Sequence, residues 1–281
     1  MKEIRAEVVS VAVAKLIRKA SFELPYDVFS ALSGALEREE SPQGRDVLAR
    51  LIENAAIARE DRLPLCQDCG AAVFFLELGQ NVHIAGGSLS EAVAEGTRRG
   101  YRENFLRISM VSCPFSSRVN TGDNTPPVLH TDIVPGDELK ISFMPKGGGA
   151  ENMSRLFMLK PSAGSKGIIS SVVAAVTEAG GKACPPLIIG LGIGATAEEA
   201  MFMAKKALLR PVGQPSSDPE VASLELDILA AVNRLGIGPL GMGGSTTALA
   251  VHAIARPCHF ASLPLAVNLQ CHSARHAEVT I

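Results

Sequence analysis

Twenty-six glycines punctuate this 281-residue chain, many in clusters such as Gly147-Gly-Gly149 and Gly241-Met-Gly-Gly244. Such clusters mark tight turns or places where backbone approaches a ligand, because a residue without Cβ reaches positive φ at little steric cost. Between them, helix-period and strand-period segments follow one another. Residues 4–20, 25–38 and 45–60 read as helices, the last being RDVLARLIENAAIARE. Ser88–Tyr101 reads as a fourth, with Ser88 as N-cap and Glu91 three residues on, the pattern of a capping box. Further helices are expected over 166–179, 197–209 and 219–235, the last two separated by the turn-rich GQPSSDP, the best candidate for a flexible crossing. Ala71–Leu78, Glu138–Met144 and the apolar run Leu187-Ile-Ile189 read as strands, and 120–127 as a polar loop. No clean βαβ rhythm appears. The expected class is therefore α+β, or irregular α/β, with an N-terminal helical segment over 1–62 and a mixed core over 63–281. One continuous domain over 1–281 is the alternative.

Composition narrows the function. Apolar residues make up 47% and charged residues 20%, with a formal charge of −2, no Trp, two Tyr and no run of basic residues. The stacking and phosphate-binding parts of a nucleic-acid surface are missing. The N-terminus has acids before its short apolar run and bases immediately after it, which argues against a signal peptide. The apolar run around 185–195 is too short and too glycine-rich to span a bilayer. A cytoplasmic protein without membrane or nucleic-acid partners is expected. In that reducing compartment, six widely spaced cysteines do not read as three disulfides.

Three arrangements could carry chemistry. Gly190-Leu-Gly-Ile-Gly194-Ala195 follows a strand and opens a helix, the context of a dinucleotide fingerprint. However, no acidic residue ends a second strand about 20 residues on, as that fingerprint requires. Cys258-His259 and Cys271-His272, with Cys66-Gln-Asp-Cys69, offer zinc-type ligands. Gln67 and Asp68 are unusual inside a zinc knuckle, and that reading leaves Cys184-Pro185-Pro186 unexplained. Thirdly, Cys66, Cys184 and Cys271 stand on separate segments; three such thiolates can hold three irons of a cubane and leave a fourth open as a Lewis acid. Spacing alone does not choose among these.

Seven segments, in order along the chain, resemble one family. They are Pro64-Leu-Cys-Gln-Asp68, Asn104-Phe-Leu-Arg-Ile-Ser109, Asn120-Thr-Gly-Asp-Asn-Thr-Pro126, Lys146-Gly-Gly-Gly-Ala-Glu-Asn-Met-Ser154, Ala183-Cys-Pro-Pro186, Leu235-Gly-Ile-Gly-Pro239 and Cys271-His-Ser-Ala-Arg-His276. The chain resembles the α subunit of two-subunit class I, iron–sulfur fumarate hydratases and tartrate dehydratases. The resemblance implies a [4Fe–4S] cluster on Cys66, Cys184 and Cys271, and reversible hydration of fumarate to L-malate, with L-tartrate dehydration as the alternative. It further implies that Gln67 and Asp68 contact substrate, Asp68 as proton donor. Arg107 and His259 would bind the substrate carboxylates, and the Gly149 backbone would approach the ligand. One-chain members continue into a domain supplying further catalytic groups, so a separate β subunit and a hetero-oligomer are expected here. Cys69 departs from the family's usual threonine and reads as a small-residue replacement rather than a ligand.

Overall fold

The computed structural model describes residues 2–281. In chain order the elements are β1 (Lys2–Arg5), α1 (Ala6–Phe22), α2 (Tyr26–Arg38), α3 (Pro42–Glu60), β2 (Ala71–Gly79), β3 (Val82–Ala85), α4 (Leu89–Glu103) and β4 (Val128–Val134). Then follow β5 (Leu139–Lys146), α5 (Gly148–Glu151), β6 (Arg155–Leu159), α6 (Gly164–Ala179), β7 (Leu187–Gly194), α7 (Ala197–Ala207), α8 (Pro219–Asn233), β8 (Ala248–Arg256), β9 (Leu263–Gln270) and β10 (Ala277–Thr280). The mixture is α+β, as expected. Among the described residues no helix is long and apolar enough to cross a membrane. The chain divides into two compact units, one built from residues 2–25, 57–148 and 275–281, the other from 26–56 and 149–274. The expected N-terminal segment 1–62 therefore contributes to both.

In the first unit a four-stranded sheet runs β10-β5-β2-β4. β2 pairs antiparallel with β5 and parallel with β4. Phe74 and Phe143 are register partners, with ring centroids 5.0 Å apart. The buried face of α1, Val9, Val13, Leu16 and Ile17, packs in the same core with Val93 and Tyr101 of α4. Each such side chain taken out of water contributes about 1.5–3 kcal/mol. α1 and α4 approach closely because α4 carries glycine at the contact. A Cβ on Gly96 would lie 2.6 Å from the Val13 Cβ, and one on Gly100 2.8 Å from the Ile17 Cδ1. Ser88 caps α4 as its sequence predicts, its hydroxyl accepting from the Glu91 N–H at 3.2 Å.

In the second unit the sheet order is β6-β9-β7-β8. β7 is buried at all eight positions, parallel to β8 and antiparallel to β9. It runs on to Gly194, well past the predicted 187–189, and this overturns the dinucleotide reading of 190–195. Gly190 and Gly192 are strand residues, not a phosphate loop. A Cβ on Gly190 would come 2.0 Å from the Ala204 carbonyl oxygen, and one on Gly192 1.9 Å from that of Ala200. These glycines let α7 lie directly on the strand. α6 and α8 contribute Val172, Val176, Ile228 and Val232 to a core with Ile189, Leu191 and Val267.

Candidate active site

In the first unit the segment between α3 and β2 is tied down residue by residue. Leu65 is buried, and its N–H donates to the Ser21 carbonyl at 2.9 Å. Cys66 and Asp68 are then half-buried and Gln67 exposed. The Asp68 carboxylate is held at both oxygens: Oδ1 accepts from the Gly70 N–H at 2.9 Å and Oδ2 from the Gly148 N–H at 2.8 Å. A Cβ on Gly147 would stand 3.3 Å from Oδ2, so the glycine turn lies directly against this acid. Gly70, at φ +71, passes so near the Lys146 backbone that a Cβ would sit at 2.8 Å. Here positive φ and a close approach both require glycine.

Cys69 has a different environment from Cys66. It is 2% exposed, its Sγ accepts from the Arg107 N–H at 3.3 Å, and its thiol donates to the Cys66 carbonyl at 3.8 Å. Burial pushes this thiol up, against the lowering influences of the Arg107 N–H and of Arg275, which favours a neutral thiol over a thiolate. The Arg107 backbone is thereby fixed beside the Cys66–Asp68 segment, while its side chain is exposed.

Three residues at this site carry no role in the sequence reading. The Tyr101 hydroxyl donates to the Cys69 carbonyl at 2.8 Å, with the Gly70 carbonyl at 3.1 Å. Asn124, fully buried, donates to the Gly70 carbonyl at 3.1 Å and accepts from the N–H groups of Ser109 and Met110 at 2.8 and 3.2 Å. It is one of two Asn in NTGDNTP, and the motif gives no hint which of them faces inward. Arg275, 2% exposed, donates from Nη2 to the Asp68 carbonyl at 2.9 Å, while its Nε and Nη1 have no partner.

In the second unit Cys184 lies in the left-handed region, at φ 54 and ψ 66, on an exposed turn after the 3₁₀ segment Gly180–Ala183. The His272 N–H donates to the Cys184 carbonyl at 3.1 Å, joining this turn to the residue after Cys271. Both segments lie at one end of the sheet, where Ile188 pairs with Gln270. Gly149 is also in this unit; a Cβ there would come 3.1 Å from the Lys182 carbonyl, close to the Cys184 turn in sequence.

His259 is not brought to that end. It occupies the turn between β8 and β9, beside the place where Gly194 pairs with Arg256. The eight-residue strand β9 therefore separates it from Cys271, roughly 26 Å at about 3.3 Å per residue. Its Nδ1 accepts from the Ala261 N–H at 3.2 Å, and the neighbouring Cys258 thiol donates to the Ser262 carbonyl at 3.2 Å. The same separation removes the zinc reading: Cys258-His259 and Cys271-His272 stand at opposite ends of a strand. Among the described residues no three His, Cys, Asp or Glu side chains converge as they would on one metal ion, and none of the six cysteines is in a disulfide.

Comparison with known sequences places these features in a family context. The profile of the family described as Fumarate hydratase (Fumerase) matches residues 10–280. A Methanocaldococcus jannaschii protein whose name assigns it, provisionally, as an L(+)-tartrate dehydratase subunit alpha is 42% identical over 274 residues, covering 96% of each chain. The L(+)-tartrate dehydratase subunit alpha of Escherichia coli UTI89 is 33% identical over 282 residues, 95% of this chain and 91% of its own. That of strain K12 is 32% identical over the same span.

Proposed function

The chain belongs to the fumarate hydratase (Fumerase) family, and from that premise we propose that it is the α subunit of an iron–sulfur hydro-lyase acting on a four-carbon dicarboxylate. Cys66, Cys184 and Cys271 are the proposed ligands of a [4Fe–4S] cluster, which when bound supplies a Lewis-acid iron for the substrate hydroxyl. The protein's own groups fit such a polyanion. Cys66 and Cys271 are half-buried and Cys184 is exposed on its turn. The buried guanidinium of Arg275, with Nε and Nη1 unpartnered behind the Cys66–Cys69 segment, provides open donors for negative charge.

The single observation that carries the reading is the fixation of Asp68. A carboxylate held at both oxygens by backbone N–H groups, two residues from a candidate thiolate ligand, cannot swing away from whatever that segment binds. In hydration, one alkene carbon gains hydroxyl and the other gains a proton. Asp68 is the proposed group that delivers this proton, and takes it back in dehydration. Gln67, exposed next to it, is the proposed hydrogen-bonding contact to substrate, and Arg107 a carboxylate clamp. The Gly149 backbone is the proposed close approach to the ligand.

His259 enters this proposal under a condition. A strand length separates it from Cys271 of its own chain, so a substrate-binding role requires His259 from a second copy. The active form would then contain at least two α chains together with the β subunit that the relatives' names imply.

The relatives' names favour L-tartrate as substrate, whereas the family description and the segments around Arg107 and 120–126 favour fumarate. Both reactions use the same addition or loss of water. Anaerobic co-expression with the β subunit, followed by assays on fumarate, L-malate and L-tartrate side by side, tests the proposal. Brown protein that turns over one of these is expected. Turnover of none by iron- and sulfide-loaded complex would contradict it.

A further inference from the structure

We propose that Glu39 is a positioning residue for the Cys184 turn, acting through the glycine-rich loop 236–247. The proposal rests on the reading of Cys184 as a cluster ligand. Glu39 follows α2 and is 2% exposed; the Arg45 guanidinium reaches its backbone carbonyl at 3.2 Å rather than its carboxylate. The carboxylate charge is met by backbone N–H donors together with the side chains of Ser245 and Thr246. Oε1 accepts from the N–H groups of Ser41 and Ser245 at 3.1 and 2.9 Å, and Oε2 accepts from those of Ser245 and Thr246 at 3.1 and 3.0 Å. The surroundings are shaped for it. A Cβ on Gly44 would lie 2.9 Å from its Cγ, and one on Gly244, at φ +133, 2.9 Å from its Oε1. Burial pushes this carboxyl up, but the hydrogen bonds from Ser245, Ser41 and Thr246 outweigh it and hold the group below its ordinary value.

The far side of the same loop grips the Cys184 turn. The Leu240 N–H donates to the Pro185 carbonyl at 2.8 Å, one residue past Cys184. Gly241, at φ +77, lies so close to Gly181 that a Cβ would come 2.8 Å from the Gly181 Cα. Gly181 is itself the residue whose carbonyl accepts from the Cys184 N–H at 3.1 Å. The Leu187 N–H donates to the Thr247 carbonyl at 2.9 Å. Within the loop, the Gly243 N–H donates to the Ile237 carbonyl at 2.9 Å and the Gly238 N–H to the Thr247 hydroxyl at 3.2 Å. A five-glycine loop has high backbone entropy when free. Cinched at 245–246 by Glu39, it becomes a rigid bracket that fixes the residues before and after Cys184.

Glu39→Gln keeps the shape but replaces one acceptor with an NH2 group facing N–H donors. In metal-free chain, amide hydrogen exchange should rise at least tenfold at Leu240, Gly243, Ser245 and Cys184. Val172→Ala, a core truncation in α6 of the same unit, serves as a control for lost stability. It should accelerate these amides no more than the rest of the unit. In reconstituted protein, Glu39→Gln should release iron to a chelator at least threefold faster than Val172→Ala. Exchange at Cys184 and Leu240 that matches the control would overturn the bracket. Accelerated exchange with unchanged iron release would overturn its role toward Cys184 as a ligand. If wild type takes up no cluster at all, the functional reading fails instead, and the exchange comparison still decides the bracket.

Discussion

Arg275 donates to the backbone carbonyl of Asp68 at 2.9 Å across 207 residues of sequence, and leaves two other nitrogens unpartnered in a 2%-exposed position. A buried cation with open donors is costly in isolation, and apolar replacement of such groups is often neutral or stabilising. Arg275→Met should therefore leave the metal-free chain as stable as wild type, or more stable by about 1 kcal/mol. The same change should weaken cluster retention. Thermal melts of metal-free and reconstituted protein, run in parallel, check the opposite signs. A large loss of stability in both states would make Arg275 a purely structural anchor.

The position of His259 makes a second prediction, about mixing. Cys271→Ser and His259→Ala chains should each be inactive with the β subunit. Where sites form in trans, a mixed pair holds one site with both groups intact, so co-refolded mixtures should recover about a quarter of wild-type activity. No recovery, with mixed assemblies verified by mass, would mean that each chain supplies both groups to its own site, and full activity of His259→Ala on its own would mean that His259 plays no part.

The six cysteines should separate by environment. Cys66→Ser, Cys184→Ser and Cys271→Ser should each lose iron and sulfide on reconstitution. Cys113→Ser and Cys258→Ser, at exposed positions, should keep them. Cys69→Ser should also keep the cluster, because its buried sulfur is engaged with the Arg107 N–H and the Cys66 carbonyl, and should cost about 1 kcal/mol of stability at most. Loss of the cluster from Cys69→Ser as complete as from Cys66→Ser would contradict this assignment.

A fourth prediction concerns acid. His252 is 2% exposed, its Nδ1 has no partner, and its pKa is pushed down to about 4 by burial and by the nearby Arg210, against the opposing charges of Glu225 and Asp27. The unfolded chain takes up this proton from about pH 6.5 downward while the folded chain does not, so stability falls as pH drops through that window. Between pH 7 and pH 5 the loss from this residue is about 2 kcal/mol. Urea midpoints at the two pH values should show it, and His252→Gln should flatten the slope. An unchanged slope in His252→Gln would place the acid sensitivity elsewhere.

Local signals in the sequence were good guides to α1–α4, β2 and β5, where apolar period, the Ser88 cap and glycine stops all agree. They failed where the determinant is distant. β4 and β8–β10 take their strand character from neighbours far along the chain. The glycines at 190–194 look like a loop until α7 is laid on them. At the site, the resemblance marks Cys66, Gln67, Asp68, Cys184 and Cys271, but the contacts that fix them come from elsewhere. Tyr101, Asn124 and Arg275 are recruited over 31, 54 and 207 residues, and no local pattern signals such a partnership. His259 shows the converse: twelve positions from Cys271 in sequence, it is carried away by one straight strand.

The most direct measurement is an anaerobic assay of the co-expressed α and β subunits on fumarate and L-tartrate, with iron and acid-labile sulfide determined on the same sample. Brown protein that hydrates or dehydrates one of these substrates is expected, with loss of both cluster and turnover in Cys271→Ser. Colourless, zinc-loaded protein, or a cluster and turnover that survive in Cys271→Ser, would contradict this expectation.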